Sequence, residues 1–363
     1  MKITDIRFAR LSVPLNTPFK TALRTVSTID DVIVIIETDS GHIGYGGAPS
    51  TPVITGDTHE SIISAIKNVF KPMLLGRYIE NINDITHVIQ SAMVANTSAK
   101  AALEIAVYDL WGKLHDKPLY QLLGGGTPKL STDITISVDS IDKMVSDSLD
   151  ALSHGFDILK IKIGKDIHQD IDRVKTIYQA LENKALIRLD VNQGWTAKQT
   201  VAAIHELEDA GVELELIEQP VKADDIAGMQ YICARINTPV MADESAFSPK
   251  QVIELITTKA ADIINIKLMK TGGISNAVKV ADIAAVYDVD CMIGCMLEGS
   301  IGVAAAAHLA VAKSHTINKI DLDGPALGKF DPVEGGVSFD KANITLSELP
   351  GLGIESINGL VNL

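Results

Sequence analysis

Polar side chains recur at nearly constant intervals in the second two-thirds of this 363-residue sequence, each at the end of a short aliphatic run. The recurring positions are Lys162, Asp190, Glu218, Asp243, Lys267, Cys295 and Asp321, and successive ones lie 24 to 28 residues apart. A barrel of eight βα units spends roughly 30 residues on each unit and gathers the C-terminal ends of its strands around one mouth. We therefore expect these side chains to be neighbours in the folded chain.

Three consecutive predicted strands end in a carboxylate, at Asp190, Glu218 and Asp243. A single acid at a strand end is as often a helix cap or a solvated loop residue. Three acids in the same register favour a metal site, and hard oxygen ligands of this kind suit Mg²⁺.

Lysines stand on two of the predicted strands. Lys160 and Lys162 are two residues apart and share one face of a strand, whereas Lys267 belongs to a strand on the far side of an eight-stranded ring. Lys162 and Lys267, facing each other across a metal-bound carboxylate, could remove a proton from the adjacent carbon on one side and return it on the other. We expect the nearby cations to depress the pKa of each base. Lys160 is expected to bind a carboxylate oxygen of the substrate.

Asp321 and Asp323 repeat the two-residue spacing on the eighth predicted strand. Two carboxylates on the same face can hold a cation, and an α-ammonium group of the substrate is the obvious one. Asp-x-Asp alone is a weak signal, and it gains weight only from its register with the other units.

The composition describes an ordinary globular chain, with 46% hydrophobic and 21% charged residues. A formal net charge of −14 argues against a nucleic-acid or anionic membrane surface. The cysteines at 233, 291 and 295 form no CxxC pair, and the N-terminus has no continuous apolar run of a signal peptide. We therefore expect a cytoplasmic protein whose partner is a small-molecule substrate, with homo-oligomerisation left open.

The elements that must position these side chains form an α/β protein of two domains. Residues 1–125 read as an α+β capping domain, residues 126–325 as the barrel and residues 326–363 as a segment that returns to the capping domain. The predicted barrel strands are 133–137, 158–163, 186–191, 214–217, 240–242, 263–268, 291–296 and 319–322. Helical patterns between them predict a parallel sheet that closes on itself.

Over essentially its whole length the chain resembles the enolase superfamily, in its muconate-lactonizing-enzyme-like subgroup. The motifs that carry the resemblance are KIKIG at 160–164, LDVNQGW at 189–195, IEQP at 217–220, ADES at 242–245 and NIKLMKTGG at 265–273. DLDGP at 321–325 resembles the motif of the dipeptide epimerases within that subgroup.

The resemblance implies a modified (β/α)₈ TIM barrel of the form (β/α)₇β, one Mg²⁺ on the three strand-end acids, and Lys162 and Lys267 as the acid/base pair. Such enzymes invert the α-carbon of the C-terminal residue of an L,L-dipeptide through an enediolate. The substrate-binding residues it implies are Arg24, Thr135, Lys160, Cys295, Met296, Leu297, Asp321 and Asp323.

The accepted side chains are less clearly indicated. The segment 16–28 carries Lys20 and Arg24, and an arginine there is compatible with an acidic substrate, as in L-Ala-D/L-Glu epimerases. The segment 50–56 carries no charge, and Gly47 stands where relatives tend to have glutamate. We place neutral or hydrophobic dipeptides first and Ala-Glu second. The alternatives are an N-acylamino acid racemase, o-succinylbenzoate synthase or cycloisomerase, and a non-catalytic metal-binding barrel.

Overall fold

A long antiparallel hairpin dominates the N-terminal part of the chain. The computed structural model describes residues 1–21 and 24–363, and its first strands are β1 (Ile3–Lys20), β2 (Thr25–Thr38) and β3 (Ile43–Pro49). These strands are long, because β1 and β2 stay paired from Ile3 and Thr38 to Lys20 and Thr25. The segment 16–28 is therefore mostly strand, and its residues 22 and 23 lie outside the described part.

Helices cover one face of this sheet. They are α1 (His59–Ala65), a π-helical turn (Ile66–Phe70), α2 (Lys71–Leu74), α3 (Ile82–Ser91), α4 (Thr97–Leu114) and α5 (Leu119–Leu123). Helix α4 approaches β3 very closely, since a Cβ on Gly46 would lie 1.8 Å from the carbonyl oxygen of Ala102. Only glycine fits at that crossing.

Eight parallel strands follow a short strand β4 (Lys129–Ser131) and are hydrogen-bonded in chain order. They are β5 (Ile134–Ile136), β6 (Ile158–Lys162), β7 (Leu186–Asp190), β8 (Leu216–Glu218), β9 (Val240–Ala242), β10 (Ile263–Ile266), β11 (Asp290–Gly294) and β12 (Ile317–Asp321). The first and last strands meet where the Asp133 N–H donates to the Ile320 carbonyl oxygen at 3.3 Å.

Seven of these strands lead into helices. The helices are α6 (Ile141–Ser153), α7 (Ile167–Leu181), α8 (Ala197–Asp209), α9 (Ile226–Cys233), α10 (Pro249–Thr257), α11 (Leu268–Thr271) with α12 (Ile274–Val286), and α13 (Ser300–Ala312). Side chains that accept N–H groups of the first turn mark several starts, among them Ser140, Asp166, Thr196 and Ser248. Strand β12 is followed only by a 3₁₀ turn, Gly324–Leu327. The predicted (β/α)₇β barrel with an N-terminal capping domain is confirmed.

The last residues contribute strands to three sheets. These strands are β13 (Val333–Gly335), β14 (Val337–Asp340), β15 (Asn343–Leu346), β16 (Ile354–Ile357) and β17 (Val361–Asn362). Strand β17 pairs with β1 of the capping sheet, β15 pairs with β4, and β13 pairs with β16. The division of the chain at residues 125 and 325 stays a prediction. Across residues 1–21 and 24–363, no helix combines the length and apolarity that crossing a membrane requires.

Candidate active site

A cavity opens at the C-terminal ends of the barrel strands. Its barrel wall contains Thr135, Lys160, Lys162, Lys267, Asp321 and Asp323. The capping domain contributes Phe19, Thr21, Arg24, Val53 and Ile54, and the segment after β11 contributes Cys295, Met296 and Leu297. The structure therefore brings the expected lysines, the Asp-x-Asp pair and the capping segments to one space.

Lys160 lies at the centre of the acidic groups. Its Nζ is 2.6 Å from Asp321 Oδ2, 2.7 Å from Glu218 Oε2 and 3.2 Å from Asp190 Oδ2. Burial lowers the pKa of Lys160, but these carboxylates outweigh burial and raise the pKa well above its usual value. The ammonium group thus compensates three buried negative charges at once.

The two proposed bases line the cavity from different strands, and each has its own carboxylate. Lys162 at the end of β6 contacts Asp190 Oδ2, and Lys267 just after β10 donates to Asp243 Oδ2 at 2.8 Å. Burial lowers the pKa of Lys267, yet the Asp243 carboxylate outweighs it and raises the pKa above its usual range. The expected depression of the Lys267 pKa by neighbouring cations is not found, because the acids are closer.

The three strand-end acids are fully buried behind the lysines. Burial raises the pKa of Asp190 and of Asp243, but Lys162 and Lys160 beside Asp190, and Lys267 and Lys270 beside Asp243, outweigh it and hold both pKa values below the ordinary range. Glu218 behaves differently, since burial and the Asp190 carboxylate raise its pKa to about 7.

The donor chemistry of these acids fits Mg²⁺, which prefers carboxylate oxygens. Glu218 Oε2 and Asp243 Oδ1 are buried, and each lies beside a lysine ammonium, at 2.7 Å and 2.6 Å. In the described part of the chain neither oxygen accepts a hydrogen bond. Within residues 1–21 and 24–363, no three His, Cys, Asp or Glu side chains already stand in a metal-ligand arrangement. A cation entering here would take the place of ammonium contacts that the acids already make.

The Asp-x-Asp pair forms the end of the cavity next to β5. Asp323 Oδ2 accepts the Thr135 N–H at 2.7 Å, while Asp321 is bound to the Lys160 ammonium. Burial and the Asp321 charge raise the pKa of Asp323 to about 6. Burial also raises the pKa of Asp321, but Lys160 outweighs it and lowers the pKa. Asp321 therefore already accepts an ammonium group in this structure.

Arg24 is the charged residue of the capping wall. Its side chain lines the cavity, and among the described residues no carboxylate pairs with its guanidinium group. Burial alone lowers its pKa. An unpaired charge that is partly buried is unfavourable, so a ligand carboxylate would be a suitable partner. Phe19, Val53 and Leu297 also line the cavity and give it an apolar surface.

Two residues near the acids were not predicted from the sequence. Lys270, on the short helix α11, is fully buried and lies 2.6 Å from Asp243 Oδ1 while donating to the Asn265 carbonyl oxygen at 2.8 Å. Glu244 is buried with no hydrogen-bond partner on either oxygen, and burial and Asp243 raise its pKa to about 8. For Lys270, the sequence signal that could have predicted its position is the three-residue spacing from Lys267, which is about one helical turn.

Two residues of the motif at 189–195, Asn192 and Trp195, differ in position relative to the cavity. Asn192 lines the cavity, and its backbone N–H donates to Asp190 Oδ1 at 2.9 Å. Trp195 is buried behind it and its indole N–H donates to Asp170 at 3.4 Å. Asn192 thus fixes one oxygen of Asp190, whereas Trp195 is a packing residue of the buried core.

A capping domain over a barrel mouth that gathers lysines and carboxylates defines a barrel enzyme of the acid/base class. The family model described as mandelate racemase/muconate lactonizing enzyme, N-terminal domain, matches residues 3–124, and the one described as enolase C-terminal domain-like matches residues 143–358. The chain belongs to the enolase superfamily, in this mandelate racemase/muconate lactonizing enzyme family.

Relatives named as epimerases match nearly the whole chain. The L-Ala-D/L-Glu epimerase of Clostridium acetobutylicum is 51% identical, over 99% of this chain and 100% of its own length. A substrate-liganded L-Ala-D/L-Glu epimerase from Bacillus subtilis has a TM-score of 0.97 and 48% identity, covering 98% of this chain and 99% of that one. A dipeptide epimerase from Enterococcus faecalis, complexed with Mg and L-Leu-L-Tyr, has a TM-score of 0.93 and 42% identity, covering 98% and 100%.

Proposed function

We propose that the protein is a Mg²⁺-dependent dipeptide epimerase that inverts the α-carbon of the C-terminal residue of an L,L-dipeptide. The observation that carries this proposal is that Lys162 and Lys267 reach one cavity from β6 and from the residue after β10, four strands apart in a ring of eight. Two amines on opposite sides of one carbon can exchange its proton between faces, which inverts it.

Each lysine acts on its own side of the substrate. One takes the α-proton and the other, protonated, delivers a proton to the opposite face, so the pair exchanges roles between the two epimers. Asp190 and Asp243 hold Lys162 and Lys267 in position through their ion pairs. Asp190, Glu218 and Asp243 would hold Mg²⁺, which would supply positive charge against the negative charge that develops on the substrate carboxylate.

The Asp-x-Asp pair would bind the free amino end of the dipeptide. Asp321 already accepts an ammonium group from Lys160, and Asp323 is held by the Thr135 backbone, which aims its carboxylate into the cavity. A charged group bound at this end fixes the distance to the second α-carbon, which must lie between the lysines. A free dipeptide has that charge, and an N-acylated amino acid lacks it.

For the side chain of the C-terminal residue, we infer a preference for an acidic group. The unpaired Arg24 guanidinium supports it, and so does the similarity to two L-Ala-D/L-Glu epimerases. The apolar walls at Phe19 and Leu297 support the second candidate, the neutral or hydrophobic dipeptides that the sequence analysis placed first, and the Enterococcus faecalis relative is of that kind.

Incubation with Mg²⁺ and a dipeptide library in D₂O tests both inferences. We expect deuterium at the α-carbon of the C-terminal residue, with L-Ala-L-Glu among the best substrates, and a large loss on that substrate for Arg24→Met. Faster turnover of L-Leu-L-Tyr than of L-Ala-L-Glu would establish the hydrophobic class. Absence of exchange on every dipeptide would contradict the proposed activity and favour a non-catalytic barrel.

The remaining enzymatic alternatives, an N-acylamino acid racemase, an o-succinylbenzoate synthase or a cycloisomerase, need no partner for Asp323. We expect Asp323→Ala to raise the KM for a free dipeptide strongly. An unchanged KM would remove the ammonium-binding role and favour these alternatives.

We also infer a cytoplasmic location. The three cysteines are free thiols, with Cys291 buried, as expected in a reducing compartment. Homo-oligomerisation stays a prediction, and the acidic net charge of −14 argues against nucleic-acid partners.

A further inference from the structure

The segment 295–299, which joins β11 to α13 and borders the cavity, is held by three backbone hydrogen bonds. The Cys295 N–H donates to the Asp321 carbonyl oxygen at 3.1 Å, and the Met296 N–H donates to Glu298 Oε1 at 2.8 Å. The third donor, the Gly299 N–H, binds Asp31 Oδ2 at 2.9 Å. The bond from Met296 to Glu298 lies within the segment, so two bonds attach the segment to the rest of the chain. Asp31 belongs to β2 of the capping domain, so one of these two attachments crosses between the two parts of the molecule.

An apolar contact lies beside this bond. Leu297 is buried in a small cluster with Val13, Leu15 and Ile29, all from the β1–β2 hairpin. Ile29 precedes Asp31 by two residues on β2, so both side chains project from the same face of the strand. One short stretch of β2 therefore contacts the segment 295–299 by packing and by hydrogen bonding.

The same hairpin carries the capping side of the substrate cavity. Phe19 packs against the Leu297 cluster, and both Phe19 and Arg24 line the cavity near the tip of the hairpin. Any movement of the hairpin relative to the segment 295–299 would displace the two walls that meet the substrate side chain. A contact that holds the hairpin against the segment 295–299 would therefore fix the relative position of these two walls.

Asp31 is well suited to make that contact. It is 2% exposed, and a Cβ on Gly299 would lie 3.0 Å from its Oδ2, so glycine leaves room for the bond. Its Oδ1 is buried with no hydrogen-bond partner. Burial raises the pKa of Asp31 to about 7, and burial and the Asp31 charge raise that of Glu298 to about 8.

We propose that Asp31 is a positioning residue, which holds the β1–β2 hairpin against the segment 295–299 and thereby sets the geometry of the side-chain end of the substrate cavity. This inference rests on the proposed function. Asp31 does not line the cavity and contacts neither Lys162 nor Lys267, so its loss should weaken binding of the dipeptide more than it slows proton transfer.

Kinetics of three variants test the proposal. Asp31→Ala should raise the KM for the best dipeptide about tenfold with kcat within about threefold of wild type. Asp31→Asn should restore KM to within about threefold, because an amide oxygen still accepts the Gly299 N–H. Asp30→Ala is the matched control: Asp30 precedes it on β2 and binds the exposed Arg10, so both constants should stay near wild type.

Two kinetic outcomes would overturn the proposal. One is an Asp31→Ala variant with wild-type KM, and the other is an Asp31→Asn variant as impaired as Asp31→Ala. If Asp31→Ala does not fold, Asp31→Leu replaces it, since leucine fills the same space without an acceptor, and the same increase in KM is expected.

Hydrogen exchange separates this proposal from the proposed activity. Without any substrate, the Gly299 amide should exchange faster in Asp31→Ala than in wild type, and at the wild-type rate in Asp30→Ala. A protein that epimerises no dipeptide but shows this change would contradict the proposed function alone. Unchanged protection of Gly299 in Asp31→Ala would contradict the positioning role alone.

Discussion

Lys162 and Lys267 are the residues on which inversion depends, and each has a separate carboxylate partner. We predict that Lys162→Ala and Lys267→Ala each lose epimerisation by at least about 10³-fold, because positioned acid/base groups contribute about 10²–10⁴ each. Each variant should still exchange the α-proton of one epimer with solvent deuterium, and the two should differ in which epimer. Proton NMR in D₂O, started from each epimer, measures both. A variant that interconverts the epimers at near-normal rates would refute the two-base assignment.

Lys270 shows how much the site depends on compensating buried charge. Its ammonium group is fully buried against Asp243, so Lys270→Met leaves that acid with one cation fewer. We predict a loss of about 3 kcal/mol in the free energy of unfolding, measured by urea denaturation. Lys175→Met is the control, since Lys175 pairs with Glu206 on the surface and should change stability by less than about 1 kcal/mol. Equal effects of the two substitutions would contradict this account.

At the scale of elements, the residues at strand ends could be predicted from the sequence, and the contacts between segments distant in sequence could not. Lys162, Asp190 and Glu218 end β6, β7 and β8, because aliphatic runs of regular spacing fix where parallel strands stop. Lys270 escaped prediction, since its direction depends on how the short helix α11 packs. Asp31 and Gly299 are 268 residues apart, and no local pattern links them.

The junction between β2 and α13 makes stability depend on pH. The pKa of Asp31 is raised from 3.8 to about 7 and that of Glu298 from 4.5 to about 8, so their stabilising contribution is complete near pH 4 and is lost as pH rises through 7 and 8. Asp30 also faces Asp31, Lys267 acts on Glu298, and Asp331 binds Ser300 close by.

Asp31→Asn removes one titrating group from this junction and leaves the surrounding charges in place. We predict that the free energy of unfolding of the variant, relative to that of wild type, rises by about 2 kcal/mol between pH 5 and pH 8.5. Urea denaturation at both pH values measures the difference, in which other titrating groups cancel. A difference that does not change with pH would show that the pKa of Asp31 is not raised in the folded protein.

At the scale of the whole molecule, the barrel mouth concentrates buried charge that its own residues only partly balance. Lys160 compensates Asp190, Glu218 and Asp321 together. Both the barrel and the capping domain contribute residues to the cavity that contains these side chains. A divalent cation that binds only the folded protein should therefore stabilise the whole chain by mass action.

We predict that Mg²⁺ at a hundred times its dissociation constant stabilises the folded protein by about 2.7 kcal/mol, which raises Tm by several degrees. Scanning calorimetry with Mg²⁺ and with EDTA measures the increase. Asp190→Asn should lose most of the Mg²⁺-dependent shift because it removes a ligand charge, whatever it does to the Tm without metal. The control is Asp172→Asn, which should keep the full shift because Asp172 is an exposed acid on α7. A shift that survives in Asp190→Asn would contradict the assignment of Asp190 as a ligand, because the binding energy of the cation would then not depend on the acid at the end of β7.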